Sequence, residues 1–168
     1  MLVESYSGIL SKRALPYREG DWFAVPLTHG GYGIGLIARV GARGGIVLGY
    51  FFGPRRNSLP SATGEPAPHA IDAILICQFC NPALMSGEWA IVSRSEEWHR
   101  EEWPQPAFGH VDAVDSDKAY KREYPDNNPS DLFIRETPIS LEEARLLPKD
   151  GLYGHIALQK KLTFLLSI

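Results

Sequence analysis

An α+β domain, mainly antiparallel β and strongly curved, follows from three features of this 168-residue sequence. Apolar residues alternate through three successive runs in its first third, the period of a half-buried strand. Sixteen glycines and thirteen prolines interrupt the chain often, which favours many short elements over a few long helices. Leucines at helical spacing close it. The prediction is a strongly curved sheet or small SH3-like barrel built from an N-terminal meander, then a short helix and a C-terminal amphipathic helix. Residues 1–168 read as a single domain, without internal repeat or interdomain linker.

The meander starts at Gly20-Asp21, which is turn chemistry, and continues with Phe23, Val25 and Leu27 on one face of a strand. Pro26 has no N–H to donate, so this strand belongs at an edge or carries a bulge. Thr28-His29-Gly30-Gly31 reads as a hairpin connection. Ile34, Leu36, Ala38 and Val40 mark a second strand, a turn follows at residues 41–45, and Ile46, Leu48, Tyr50 and Phe52 mark a third. Gly33, Gly35 and Gly49 fall inside these strands, where glycine signals bending or close approach of another backbone. A tightly curved sheet is the expected use of them.

Residues 55–68 read as a surface loop. Ala70 to Phe79 is a continuous apolar run that periodicity assigns to neither helix nor strand. Residues 88–93, 108–111 and 132–134 are expected to be short strands, and residues 112–130 a polar, exposed stretch. Ser140 and Glu143 form a capping box for a short helix that ends before Pro148. Leu158, Leu162 and Leu165 line one face of the last helix, with Gln159, Lys160 and Lys161 turned outward. A strand is the alternative for this last segment.

Composition narrows the function classes. The net charge is −3, and no apolar run approaches the roughly 18 residues of a membrane span. Met1 to Arg13 lacks the basic start and apolar stretch of a signal peptide, so a cytoplasmic protein is expected. Residues 1–58 are net basic, whereas residues 94–127 carry nine acidic groups against five basic ones. That acidic middle bears on partner choice, not on fold.

Motifs for catalysis and cofactors fail on their context. Cys77-Gln78-Phe79-Cys80 has no second ligand pair, and His69, His99 and His110 stand at no metal-site spacing. A redox pair wants its first thiol at a helix N-terminus, not at the end of an apolar run. Both cysteines read as small buried hydrophobes. Gly33-Ile34-Gly35-Leu36-Ile37-Ala38 matches a dinucleotide fingerprint in letters, but a glycine turn arrives where its helix should be, and no acidic residue follows until Glu65. Asp21 is the best single acid–base candidate, although a turn carboxylate accepting backbone N–H bonds suits its place better. The expectation is no catalytic residue, no cofactor and no metal. Glu96, Glu97, Glu101 and Glu102 flank Trp98 and Trp103, which reads as a solvated acidic surface or as a contact patch of aromatics with a charged rim.

The runs Gly20-Asp21-Trp22-Phe23-Ala24-Val25-Pro26-Leu27, Gly31 to Val40 and Gly45 to Pro54 resemble the immunity protein 26 family of bacterial polymorphic toxin systems. Gly87-Glu88-Trp89 is similar to its middle strand, and Gly151-Leu152-Tyr153-Gly154-His155 with the leucine helix to its closing segment. The resemblance implies a non-catalytic protein that binds and neutralises a cognate toxin. The charge suggests that the acidic stretch, with Glu96, Glu97, Trp98, Glu101, Glu102, Trp103, Asp112, Asp115 and Asp117, faces a basic toxin such as a nuclease domain. The competing class is an RNA-binding or ribonuclease module, because the curved meander also resembles the barrel of MazF/PemK-type toxins. Lys12, Arg13, Arg18, Arg39, Arg43, Arg55 and Arg56 would then form its phosphate face.

Overall fold

A computed structural model describes residues 14–42, 45–60, 67–126, 129–130 and 132–167. The meander is present as β1 (Asp21–Pro26), β2 (Tyr32–Val40) and β3 (Ile46–Arg56), paired antiparallel in sequence order. Gly30 and Gly31 both have positive φ, and Leu27 donates its N–H to the Gly31 carbonyl to close the first hairpin. The apolar run from Ala70 divides: one 3-10 turn at Ala70–Asp72, then β4 (Leu75–Cys80) antiparallel to β3. Helix α1 (Pro82–Ser86) follows, and β5 (Ile91–Arg94) returns to pair with β1. Near the C-terminus β9 (Leu152–Tyr153) adds parallel to β4, so the sheet reads β5-β1-β2-β3-β4-β9.

This sheet is open and uncurled. Among the described residues no ladder joins β5 to β9, and the expected barrel closure does not form. The interior glycines serve close approach instead of curling. Phe23 lies directly opposite Gly35, and a Cβ added to Gly35 would sit 2.4 Å from the Phe23 ring. A Cβ on Gly49 would meet the Phe51 and Phe79 rings at 2.8 Å, and one on Gly33 would meet Leu166 at 3.0 Å. Both sheet faces are buried, which is why the strands are almost continuously apolar.

One face holds Phe23, Val25, Ile37, Val47, Phe51, Cys77, Phe79 and Trp89. It is covered by α1 and by α3 (His155–Leu166), which contributes Leu158 and Leu162. The last segment is thus a helix on the predicted face, but Gln159 is not simply turned outward: it is half-buried and its amide donates to the Pro26 carbonyl. The opposite face holds Trp22, Ile34, Leu36, Ala38, Leu48, Tyr50 and Phe52, covered by Trp103 and Phe108. Val40 packs with the first group, not with Ile34, Leu36 and Ala38, because the register shifts between Ile37 and Arg39.

Phe108 opens a second antiparallel sheet of β6 (Phe108–Val111), β7 (Ala119–Glu123) and β8 (Arg135–Ile139). Two expectations change here. The polar stretch from residue 112 contains a strand, β7, and residues 132–134 precede a strand instead of forming one. Charged residues stand on both faces of these strands, which hides the alternation: Lys121, Arg122 and Glu123 follow one another in β7, and Arg135 and Glu136 in β8. Ser140 and Glu143 make the predicted reciprocal cap, and α2 (Leu141–Leu146) ends before Pro148.

The packing of Phe23 over Gly35 yields a direct expectation. Phe23 stacks on Trp89 at 5.9 Å and meets Phe51 edge-on, so its ring has nowhere to move. Gly35→Ala should destabilise the protein by about 1–3 kcal/mol through overpacking. Urea denaturation measures it, and an unchanged midpoint would show that the strand yields.

Candidate functional site

The acidic, tryptophan-bearing loop at residues 95–103 lies across the Trp22 face of the large sheet. Its deep anchor is Trp103, which is buried and packs edge-on against Trp22, Tyr50 and Phe52 at 5.2–6.0 Å. Trp98 lies nearly parallel to Trp103, 6.5 Å between centroids, and stays half-buried. Its indole sits where a side chain at residue 20 would be: a Cβ there would lie 3.2 Å from the ring. Gly20 also has a positive φ of 88°, so glycine satisfies both demands at once.

Polar contacts fix the base of the loop. The Ser95 N–H and hydroxyl both donate to the Gly20 carbonyl, at 3.3 and 2.8 Å. Glu19 accepts from the Trp98 indole at 3.3 Å and from two nitrogens of Arg100 at 3.1 and 3.2 Å. Arg100 also donates to the Asp126 carbonyl at 3.4 Å, and no ion pair joins it to the loop's four glutamates among the described residues. Glu96, Glu97, Glu101 and Glu102 are all exposed, with His99 set between Glu97 at 3.6 Å and Glu101 at 3.7 Å. The result is an anionic rim around a fixed aromatic pair.

Asp112, Asp115 and Asp117 belong elsewhere, on the turn between β6 and β7. That turn is at the end of β6 remote from Phe108, the strand's anchor in the Trp103 cluster. Asp112 accepts the N–H groups of Val114 and Asp115 at 2.8 Å, and these bonds hold its carboxyl below the usual aspartate range. Asp115 pairs with Lys118 at 3.6 Å. No hydrogen bond or ion pair joins this turn to the glutamate rim among the described residues.

Other candidates resolve by position. Asp21 is fully buried and accepts the Arg18 N–H at 3.0 Å, the turn-carboxylate arrangement. Cys77 and Cys80 stand three apart on β4, so their thiols project from opposite faces of a strand. Cys77 lies in the core, where burial pushes its thiol up, and Cys80 is half-buried. The G-x-G-x-x-A letters are β2, with no helix to receive a phosphate. The seven basic residues build no common face among those described: Arg39 is buried and held by the Asp126 carboxylate and carbonyl, and Arg55 donates to the Gly30 carbonyl. Lys12, Arg13 and Arg43 lie outside the described residues.

A family model, immunity protein 26, matches residues 18–120, from the turn before β1 into β7. The chain belongs to the immunity protein 26 family. Neither the curated proteins nor the solved structures yield a match. The match to immunity protein 26 takes in the meander, the tryptophan loop and the aspartate turn; the resembling segment at Gly151 to His155 lies beyond it.

One cluster in this immunity protein 26 chain escapes sequence reasoning. Asp150, almost wholly buried, accepts from Arg122 at 3.1 Å and from the Tyr124 hydroxyl, and lies 3.2 Å from Nδ1 of His110. Arg122 also donates to Glu136 at 2.7 Å. These residues come from β6, β7, β8 and the segment before β9, too scattered for any spacing to reveal. The saturated carboxylate ties that segment to the second sheet.

Asp21 supplies the test of this region. Burial pushes its carboxyl above the usual aspartate range, against the pull of the Arg18 N–H and of the Arg94 and Arg18 guanidiniums. In the window above the ordinary value the folded chain holds a proton that the unfolded chain has released, so stability falls as pH rises through it. Asp21→Asn removes that component. The stability of the variant relative to wild type should rise with pH through this window in chemical denaturation, and a pH-independent difference would refute the assignment.

Proposed function

We propose that this chain is a non-catalytic immunity protein, acting as one domain in the cytoplasm, that binds and neutralises a cognate toxin through the glutamate rim at residues 96–102. Family membership supports the role. The single observation that carries the surface is the rim itself: four exposed glutamates around Trp98, which is already immobilised on Trp103 and Gly20. An inhibitor gains from such a surface twice. The fixed aromatic contributes contact area without losing much side-chain freedom on binding. The carboxylates steer an oppositely charged partner and raise its association rate.

The partner that fits is a basic toxin domain, and a nuclease is the obvious class because such a domain is itself built to hold phosphate. Asp112, Asp115 and Asp117 could extend this acidic field to a large toxin, but the rim at residues 96–102 is where acid and aromatic coincide.

Charge reversal tests the reading. Replacing Glu96, Glu97, Glu101 and Glu102 with lysine should slow association with the cognate toxin domain by about tenfold or more at low salt, and should flatten the salt dependence. Stopped-flow binding reads both. An unchanged association rate with unchanged salt dependence would remove the rim from the interface.

A further inference from the structure

The β6–β7 turn and the groove beside it are complementary to each other. The groove runs between β6 and α2, with a volume of about 360 Å³, and is lined by Val111, Ala144 and Leu147, with Arg145 and Lys149 at its edge. β6 and α2 touch at Gly109, where a Cβ would lie 2.2 Å from the Ala144 carbonyl oxygen. Its one carboxylate, Asp150, is already satisfied by Arg122, Tyr124 and His110. Arg145 and Lys149 form no ion pair among the described residues. The groove is therefore apolar inside and cationic at the edge.

The turn that follows β6 has the opposite design. Val114 at its tip is 98% exposed, with Asp112, Asp115 and Asp117 around it and Lys118 the one cation. The turn thus presents an apolar side chain among carboxylates, opposite in charge to the groove's edge. Its own groove cannot receive it, because the turn extends from the strand that forms the groove wall. A second copy can. Groove and turn adjoin at Val111, so a two-fold axis near that residue would seat each turn in the other chain's groove and close the pair.

We infer that this chain self-associates into a two-fold dimer, the Val114 turn of each copy inserted between β6 and α2 of the other, with its aspartates against Arg145 and Lys149. The contact is small, so the dimer should be weak and salt-sensitive. It leaves the glutamate rim free, and it does not depend on what that rim binds.

Sedimentation of the full chain over a range of concentrations tests this. Wild type should show a concentration-dependent dimer that high salt weakens, and Val114→Asp should weaken it about tenfold or more by placing a charge in the apolar groove. Because Val114 is exposed, that variant should keep its thermal midpoint. Two further chains make the test specific: Asp115→Lys with Asp117→Lys, and Arg145→Glu with Lys149→Glu. Each should be monomeric alone, whereas their mixture should pair, since both turn–groove contacts then join opposite charges. A wild type monomeric up to its solubility limit would overturn the inference. So would a dimer indifferent to Val114→Asp, or a mixture that stays monomeric. Loss of toxin protection by Val114→Asp in a protein that is monomeric throughout would assign the turn to the toxin instead, and overturn it as well.

Discussion

The large sheet depends on rings occupying the space that glycine leaves. Across its helix-facing side one row runs Ile91, Phe23, Gly35, Phe51 and Leu75, each opposite the next on neighbouring strands. Phe23 folds its ring over Gly35 and reaches Phe51, Phe79 and Trp89. With any side chain at Gly35, Phe23 would have to move away from Trp89, and the aromatic cluster that carries α1 and α3 would lose its centre. Glycine in a strand normally weakens it. Here the cross-strand ring restores the missing contact.

The same row explains what could be read in advance. Alternation in β1, β2 and β3 is visible because short turns join them and their apolar residues repeat every second position. The cap of α2 is visible because Ser140 and Glu143 are local to each other. The use of the glycines is not visible, because bending and close approach demand the same residue and only the facing side chain distinguishes them. Strands β7 and β8 stay hidden for a different reason: Lys121, Arg122 and Glu123 are charged side by side, and their order comes from pairing with distant residues, not from their own pattern.

Site residues divide along the same line. That the glutamates around the two tryptophans are solvated follows from residue type, but not that Trp103 is the buried one and Trp98 the half-buried one. That Trp98 lies over Gly20 does not, because the two are far apart in sequence and meet only once β1 and β5 pair. The aspartates at 112, 115 and 117 look continuous with the glutamates in the sequence. Strand β6 lies between them and sets the aspartates beyond its far end. Proximity along a chain overstates proximity in space wherever a strand intervenes, because each residue of a strand adds about 3.3 Å.

How the loop at residues 95–103 divides its polar groups bears on any binding role. Glu19, Ser95 and the Gly20 carbonyl are consumed in holding the loop, and Arg100 is consumed by Glu19. Had Arg100 instead paired with Glu96 or Glu97, the rim would be nearly neutral and the base of the loop unanchored. The anionic character therefore draws on a residue outside the loop: Glu19 engages the loop's arginine, and among the described residues no Lys or Arg forms an ion pair with the four exposed carboxylates. The Glu19–Arg100 contact serves both rigidity and charge, beside the Ser95 bonds and the Trp103 packing, so a substitution at Glu19 would alter both, whereas substitutions among the exposed glutamates alter charge alone. That separation is what a surface built for fast, charge-steered docking on a fixed frame requires.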